Sequence, residues 1–190
     1  MKELNVKVAI ISKQGEDSEN YKQFLEIVKQ KNIKVKIVKA GDKIKIDNNT
    51  YLEILWPTEE LLQENILNNN SIVVKLTYKN FTSLFTGDIE EIAEKEIIKI
   101  YEKTNKLRGL LLKVAHHGSK SSSIQEFLDK VKPKIALIGV GENNKFGHPN
   151  EGVIKRLQNL NCEIYRTDEN GEITIKVNKK GKICIDKMLE

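Results

Sequence analysis

Two apolar runs, Leu110 to Val114 and Ile135 to Val140, constrain this chain more than any other feature. A continuous apolar segment of this length reads as a strand at the centre of a sheet, with helices on at least one face. Each run leads into a polar, glycine-bearing segment. The first enters Ala115-His116-His117-Gly118-Ser119, and the second leads to Phe146-Gly147-His148-Pro149. A third strand-like segment, Phe81 to Phe85, leads into Thr86-Gly87-Asp88. These three segments hold all three histidines of the 190 residues. Metal-competent side chains at the ends of adjacent strands are how an α/β protein builds a site.

The rest of the chain supplies a framework for those strands. Val6 to Ser12 reads as a short strand. Asp17-Ser18 opens a helix with Tyr21, Phe24, Leu25 and Val28 on one face. Ile33 to Val38 alternates as a half-buried strand does, and Lys43 to Ile46 alternates again. Asn48-Asn49 marks a hairpin turn before Tyr51 to Trp56, which Pro57 stops. Glu59 to Asn70 is a polar loop with room for a helical turn at Glu59 to Gln63. Ser71 to Tyr78 and Phe81 to Phe85 form a second hairpin. Helices are expected over Ile89 to Tyr101, Ser122 to Val131 and Asn150 to Leu160. Cys162 to Arg166 and Glu172 to Val177 read as closing strands around Asn170-Gly171. The pattern predicts an α/β (α+β) fold: a mixed sheet with flanking helices, in one domain spanning residues 1–190.

Hydrophobic residues make up 39% and charged residues 31%, a balance that suits a globular chain. Nothing approaches the ~20 apolar residues of a membrane span. Met1 to Asn5 lacks the apolar stretch of a signal peptide, so the default expectation is a cytoplasmic chain. Cys162 and Cys184 stand apart and are expected to be buried free thiols. The net charge of +5 is carried mainly by lysine. It is compatible with a nucleic-acid partner and equally with a solvated surface.

Glycine before Asp88 allows a sharp turn and close approach to a ligand. Asp88 itself could bridge cations or simply cap the following helix. His116 and His117 offer metal ligation and proton transfer. Extended backbone would aim them in different directions, one at a metal and one at substrate. Ser119 and Lys120, next to Ser121 to Ser123, carry a hydroxyl and an ammonium suited to phosphate, although serines there also cap helices. His148 sits in a polar loop that would reach the same end of the sheet if the strands run parallel.

TGD, HHGSKSS, GENNKFGHP and YRTDENG together resemble the metallo-β-lactamase-fold domain of ComEC-type DNA-uptake proteins. FLDKVKP at Phe127 to Pro133 adds to the resemblance, which covers most of residues 20–178. It implies an αββα sandwich, a two-metal site for zinc or manganese, and hydrolysis of nucleic-acid phosphodiesters. In that pattern Asp88 and His116 or His117 correspond to metal ligands, and His148 to a ligand, proton donor or phosphate contact at the rim. Our assignment takes Asp88 and His116 as metal ligands, His117 and His148 as catalytic, and Ser119 and Lys120 as phosphate-binding. The family's first metal motif, an HxHxDH-like or HxDxDH-like cluster, has no match before Asp88. The expectation is therefore the C-terminal part of the fold, with a divalent metal weakly held or absent and little activity in isolation. An N-terminal half-domain would be its complement and DNA its partner. The family's membrane tether has no counterpart here. The alternative is a non-catalytic fold remnant or interaction module, with DNA binding through its lysines as one form of it.

Overall fold

The computed structural model describes residues 4–15 and 17–189; the first three residues of the N-terminal segment discussed above lie outside it. The chain opens with a parallel pair, β1 (Val8–Ile11) and β2 (Lys34–Ile37), joined by α1 (Glu19–Gln30). Ser18 caps α1 by accepting the Tyr21 N–H. The antiparallel strands β3 (Lys43–Lys45), β4 (Thr50–Trp56), β5 (Val73–Tyr78) and β6 (Phe81–Phe85) follow, with the short α2 (Ile66–Asn69) between β4 and β5.

From β6 the chain alternates helix and strand. It runs through α3 (Glu91–Tyr101), β7 (Leu111–Lys113), α4 (Gln125–Val131), β8 (Ile135–Ile138), α5 (Glu151–Asn159) and β9 (Glu163–Arg166). The single turn α6 (Thr167–Asn170) then leads to the hairpin β10 (Ile173–Val177) and β11 (Ile183–Lys187). The central sheet has seven strands in the order β3-β4-β5-β6-β7-β8-β9, and β6 to β9 run parallel. Successive parallel strands joined by single helices place their carboxyl ends along one edge.

Side-chain alternation divides the sheet into two faces. Leu84, Leu112, Ala136 and Ile138 pack against Ala93 and Ile97 of α3, Phe127 and Leu128 of α4, and Val153 and Leu157 of α5. All ten are at most 1% exposed, so this layer carries most of the hydrophobic stabilisation. On the other face Phe81, Leu111 and Ile135 pack under Ile175, Val177, Ile183 and Ile185 of the β10–β11 hairpin. This is a mixed α/β fold with helices on one face of the sheet and only a hairpin over part of the other.

Several sequence expectations need correction. The helical turn expected at Glu59 to Gln63 lies instead at α2. Strand β2, expected to be half-buried, is exposed at all four residues because it pairs with β1 alone. The closing hairpin is β10–β11, whereas β9 joins the central sheet. Both cysteines are free, as expected, but neither is fully buried: Cys162 is half-buried and Cys184 is exposed. The helical repeat expected at Ile92, Glu96, Ile97 and Ile100 is not the buried face of α3, which is Ala93, Glu94, Ile97 and Tyr101, with Ile100 outward. Among the described residues no helix is long and apolar enough to cross a membrane.

Candidate functional site

The carboxyl ends of β6, β7 and β8 deliver Asp88, His116 with His117, and His148 to one place. The segment leaving β6 turns at Gly87, with φ +56; a side chain there would lie 2.6 Å from Ser71 Cβ. Glycine is therefore required on two counts, conformation and space. Ser71 Oγ then accepts the Asp88 N–H at 3.2 Å.

The segment leaving β7 is unusual. His116, His117 and Gly118 all take left-handed backbone, with φ of 45, 54 and 79. For the two histidines this costs about 1–3 kcal/mol each, and such a conformation persists only where surroundings enforce it. They do so here. His116 N–H donates to Gly87 O at 3.0 Å, Ser119 N–H to His116 O at 2.8 Å, and Asn150 N–H to Gly118 O at 2.8 Å. The loops after β6, β7 and β8 are thus stitched together through backbone. The two rings diverge because of this turn, not because of extended backbone; their centroids are 6.5 Å apart at 66°.

Each ring has its own surroundings. His117 Nδ1 donates to Gly139 O at 2.5 Å, which leaves Nε2 unprotonated on the neutral ring. That nitrogen lies 3.7 Å from Asp88 Oδ1. Two lone-pair donors facing each other can share a proton or a cation. His116 Nδ1 lies 3.3 Å from Glu90 Oε1 but off hydrogen-bond alignment, so this buried nitrogen has no hydrogen-bond partner. Glu90 in turn accepts from Ser121 Oγ at 2.9 Å and Asn65 Nδ2 at 2.8 Å. The His148 ring lies 5.8 Å from that of His116 and stacks on Phe146. Burial pushes the His148 pKa down, and the nearby His116 and His117 add to the effect.

Other residues were not foreseen as part of this site. Lys113 lies inside the run read as apolar, and its Nζ donates to Val114 O at 3.1 Å. A side chain at Gly139 would meet Lys113 Cε at 3.3 Å, so the lysine crosses that glycine beside the histidines. Burial lowers its pKa, and Asp88 opposes the shift. Glu90 stands at the N-cap of α3, where an acid is ordinary, and no spacing rule ties it to His116. Ser119, assigned to phosphate, is buried and bonded to Ser121 Oγ at 3.0 Å, whereas Lys120 is exposed.

The fit of a metal can be tested on these positions. Asp88 and His117 face each other, but His116 is turned to Glu90. Among the described residues no group of three or more His, Cys, Asp or Glu side chains is placed to hold a cation. A tetrahedral site needs three or four protein ligands, so the residues present do not complete one.

No family model matches the chain. Over 180 residues it is 29% identical to ComE operon protein 3 of Bacillus subtilis, covering 95% of the chain and 22% of that protein. It is 31% identical over 130 residues to competence protein ComA of Neisseria gonorrhoeae, covering 68% of the chain and 18% of that protein. The chain is a relative of the ComEC-type competence proteins. It spans less than a quarter of the length of these two ComEC-type proteins. A solved structure named as a candidate metal-dependent hydrolase, from Parabacteroides distasonis, superposes with a TM-score of 0.50 at 13% identity. The superposition covers 85% of the chain and 76% of that structure. At this identity the likeness speaks for the fold alone.

Proposed function

We propose that the chain is the C-terminal part of a metallo-β-lactamase-fold unit in a ComEC-like DNA-uptake protein, and that its site serves hydrolysis of nucleic-acid phosphodiesters once the missing ligands are supplied. The observation that carries this reading is the meeting of Asp88 with His117 at 3.7 Å, and of His116 with His148 at the same strand ends. The similarity to two competence proteins supports the biological setting.

In this reading Asp88, with His116 or His117, would contribute to binding a divalent zinc or manganese ion. Such an ion would activate water and stabilise the leaving oxygen. His148 and the other histidine would handle protons, and Glu90 would orient His116. Ser119 would act mainly through its backbone and loop, and exposed Lys120 would meet phosphate. The complement would be an N-terminal half-domain carrying the absent metal motif. One observation favours the rival, non-catalytic reading: the described residues do not form a complete cation site.

The test is a nuclease assay with labelled DNA and added Mn²⁺, on the chain alone and on the chain joined to a ComEC-type N-terminal half-domain. The joined protein should cleave, and Asp88→Ala should abolish cleavage. Failure of the joined, folded protein to cleave would favour the non-catalytic module. Robust cleavage by the chain alone, lost in His116→Ala, would show that the site is already complete.

A further inference from the structure

A broad concavity lies far from the histidines. It is a groove of about 1050 Å³ at the other end of the sheet, where the chain enters β7 and β8. Its walls come from the segment after α3 and the segment joining α4 to β8. Lys103, Arg108, Lys130, Lys132 and Lys134 line it, against the carboxylates Glu102 and Asp129. The formal balance there is five cations less two anions, or +3, out of +5 for the whole chain.

The ordinary explanation for lysines at this position is that they offset the partial negative charge of helix C-termini. Lys130 does so, because its Nζ donates to Glu102 O at 3.3 Å. The other four cations do not. Among the described residues the side chains of Lys103, Arg108, Lys132 and Lys134 make no hydrogen bond or ion pair. The contrast among the arginines is informative. Arg156 is committed to Ser122 O and Ser123 O, and Arg166 to Asp168 and Glu169. Arg108 is the one arginine left with its donors unspent. Asp129 is already occupied, accepting from Gln125 Nε2 at 2.8 Å.

We propose that this groove binds the phosphate backbone of a nucleic-acid strand. Several separated cations in an open groove suit a run of phosphates better than one small anion. The lining contains no aromatic residue on which a base could stack, so recognition would run through charge and not through sequence. The groove lies at the amino ends of the parallel strands and the histidines lie at their carboxyl ends. It would anchor a part of the strand remote from the candidate site. This binding does not depend on the catalytic reading and needs no metal.

Fluorescence anisotropy of a labelled single strand of about 30 nucleotides, in EDTA and across about 50–300 mM salt, tests it. The groove variant R108Q/K132Q/K134Q is compared with K34Q/K36Q/K43Q, which removes the same charge from exposed strand positions. Circular dichroism confirms that both are folded. The groove variant should bind roughly tenfold or more weakly, with a salt slope smaller by about 2, while the control changes by less than about threefold. Equal losses in the two variants would reduce the effect to net charge and overturn the proposal. So would a wild-type chain that fails to bind the strand at the lowest salt. Tighter binding of polyglutamate than of DNA, lost only in the groove variant, would assign the groove to an acidic polypeptide instead.

Discussion

Glu94, fully buried in α3, accepts the backbone N–H of Ser123 at 2.6 Å. Its second oxygen accepts the Ile124 N–H at 2.8 Å. Arg156 holds the carbonyls of Ser122 and Ser123 from the other side. Ser123 has a φ of 56, so this clamp holds a left-handed turn at the end of the loop that carries both adjacent histidines.

Removing the clamp should be costly. Glu94→Ala leaves two buried N–H groups without acceptors and opens a cavity. A loss of about 3 kcal/mol is expected, since each unsatisfied group costs about 1–3 kcal/mol. Urea denaturation measures it. Glu94→Gln keeps one acceptor and should lose less. A change within 0.5 kcal/mol, on the order of that for an ordinary surface substitution, would show that the loop holds itself.

The same carboxyl predicts a pH dependence. Burial raises its pKa from 4.5 to about 7, against the pull of the two N–H groups and Arg156. Between those values the folded state binds more protons than the unfolded state, so stability falls as pH rises. The contribution is full below the unfolded value and lost above the folded one. The total is roughly 3 kcal/mol. Denaturation midpoints of wild type and Glu94→Gln, compared from acid to mildly basic pH, isolate it. Parallel curves would refute the assignment.

His148 should titrate below the ordinary histidine value of 6.5, because burial and the two neighbouring imidazoles disfavour its charged form. The folded state then binds fewer protons than the unfolded one. Stability from this group is present above 6.5 and declines as pH falls through the lowered value. With three histidines in the chain, ring-proton NMR can follow each one. His116→Gln should move the His148 titration upward; an unmoved curve would remove the coupling.

Gly118→Ala should displace the loop after β8. The new Cβ would lie 2.7 Å from Pro149 Cβ, at a φ of +79. A loss of about 2 kcal/mol or more follows from the clash and the conformation together. Thermal unfolding reads the loss, and the His148 NMR signal reads the displacement. Unchanged values for both would show that the segment tolerates the contact.

After dialysis the chain should retain less than one equivalent of Zn²⁺ or Mn²⁺, because the described residues bring ligands together only in pairs, Asp88 with His117 at 3.7 Å and His116 with Glu90 at 3.3 Å. Elemental analysis decides this. Two tightly held ions per chain would mean that the histidine loops rearrange around metal.

Much of this arrangement was legible in the sequence because it rests on local rules. Alternation and apolar runs located the strands, cap residues such as Ser18 and Asn150 marked helix starts, and the polar segments after three strands located Asp88 and the histidines. Connecting parallel strands through single helices then carries those segments to one edge. The pairings within the site are different, because they join residues distant in sequence or depend on backbone twist. Nothing local sets His117 against Asp88 and His116 against Glu90; three consecutive left-handed residues do so, and contacts from Gly87 and Asn150 enforce them. Nothing local marks Glu94 for burial; the fold places it under the serine loop. Lys113 interrupts the run Leu110 to Val114, and its place beside the histidines is set by Gly139, which follows the neighbouring strand. The groove's charge was visible as scattered lysines. Only the packing of the segments entering β7 and β8 gathered those lysines into one surface, because charge separated along the chain interacts only once folding brings it within a screening length.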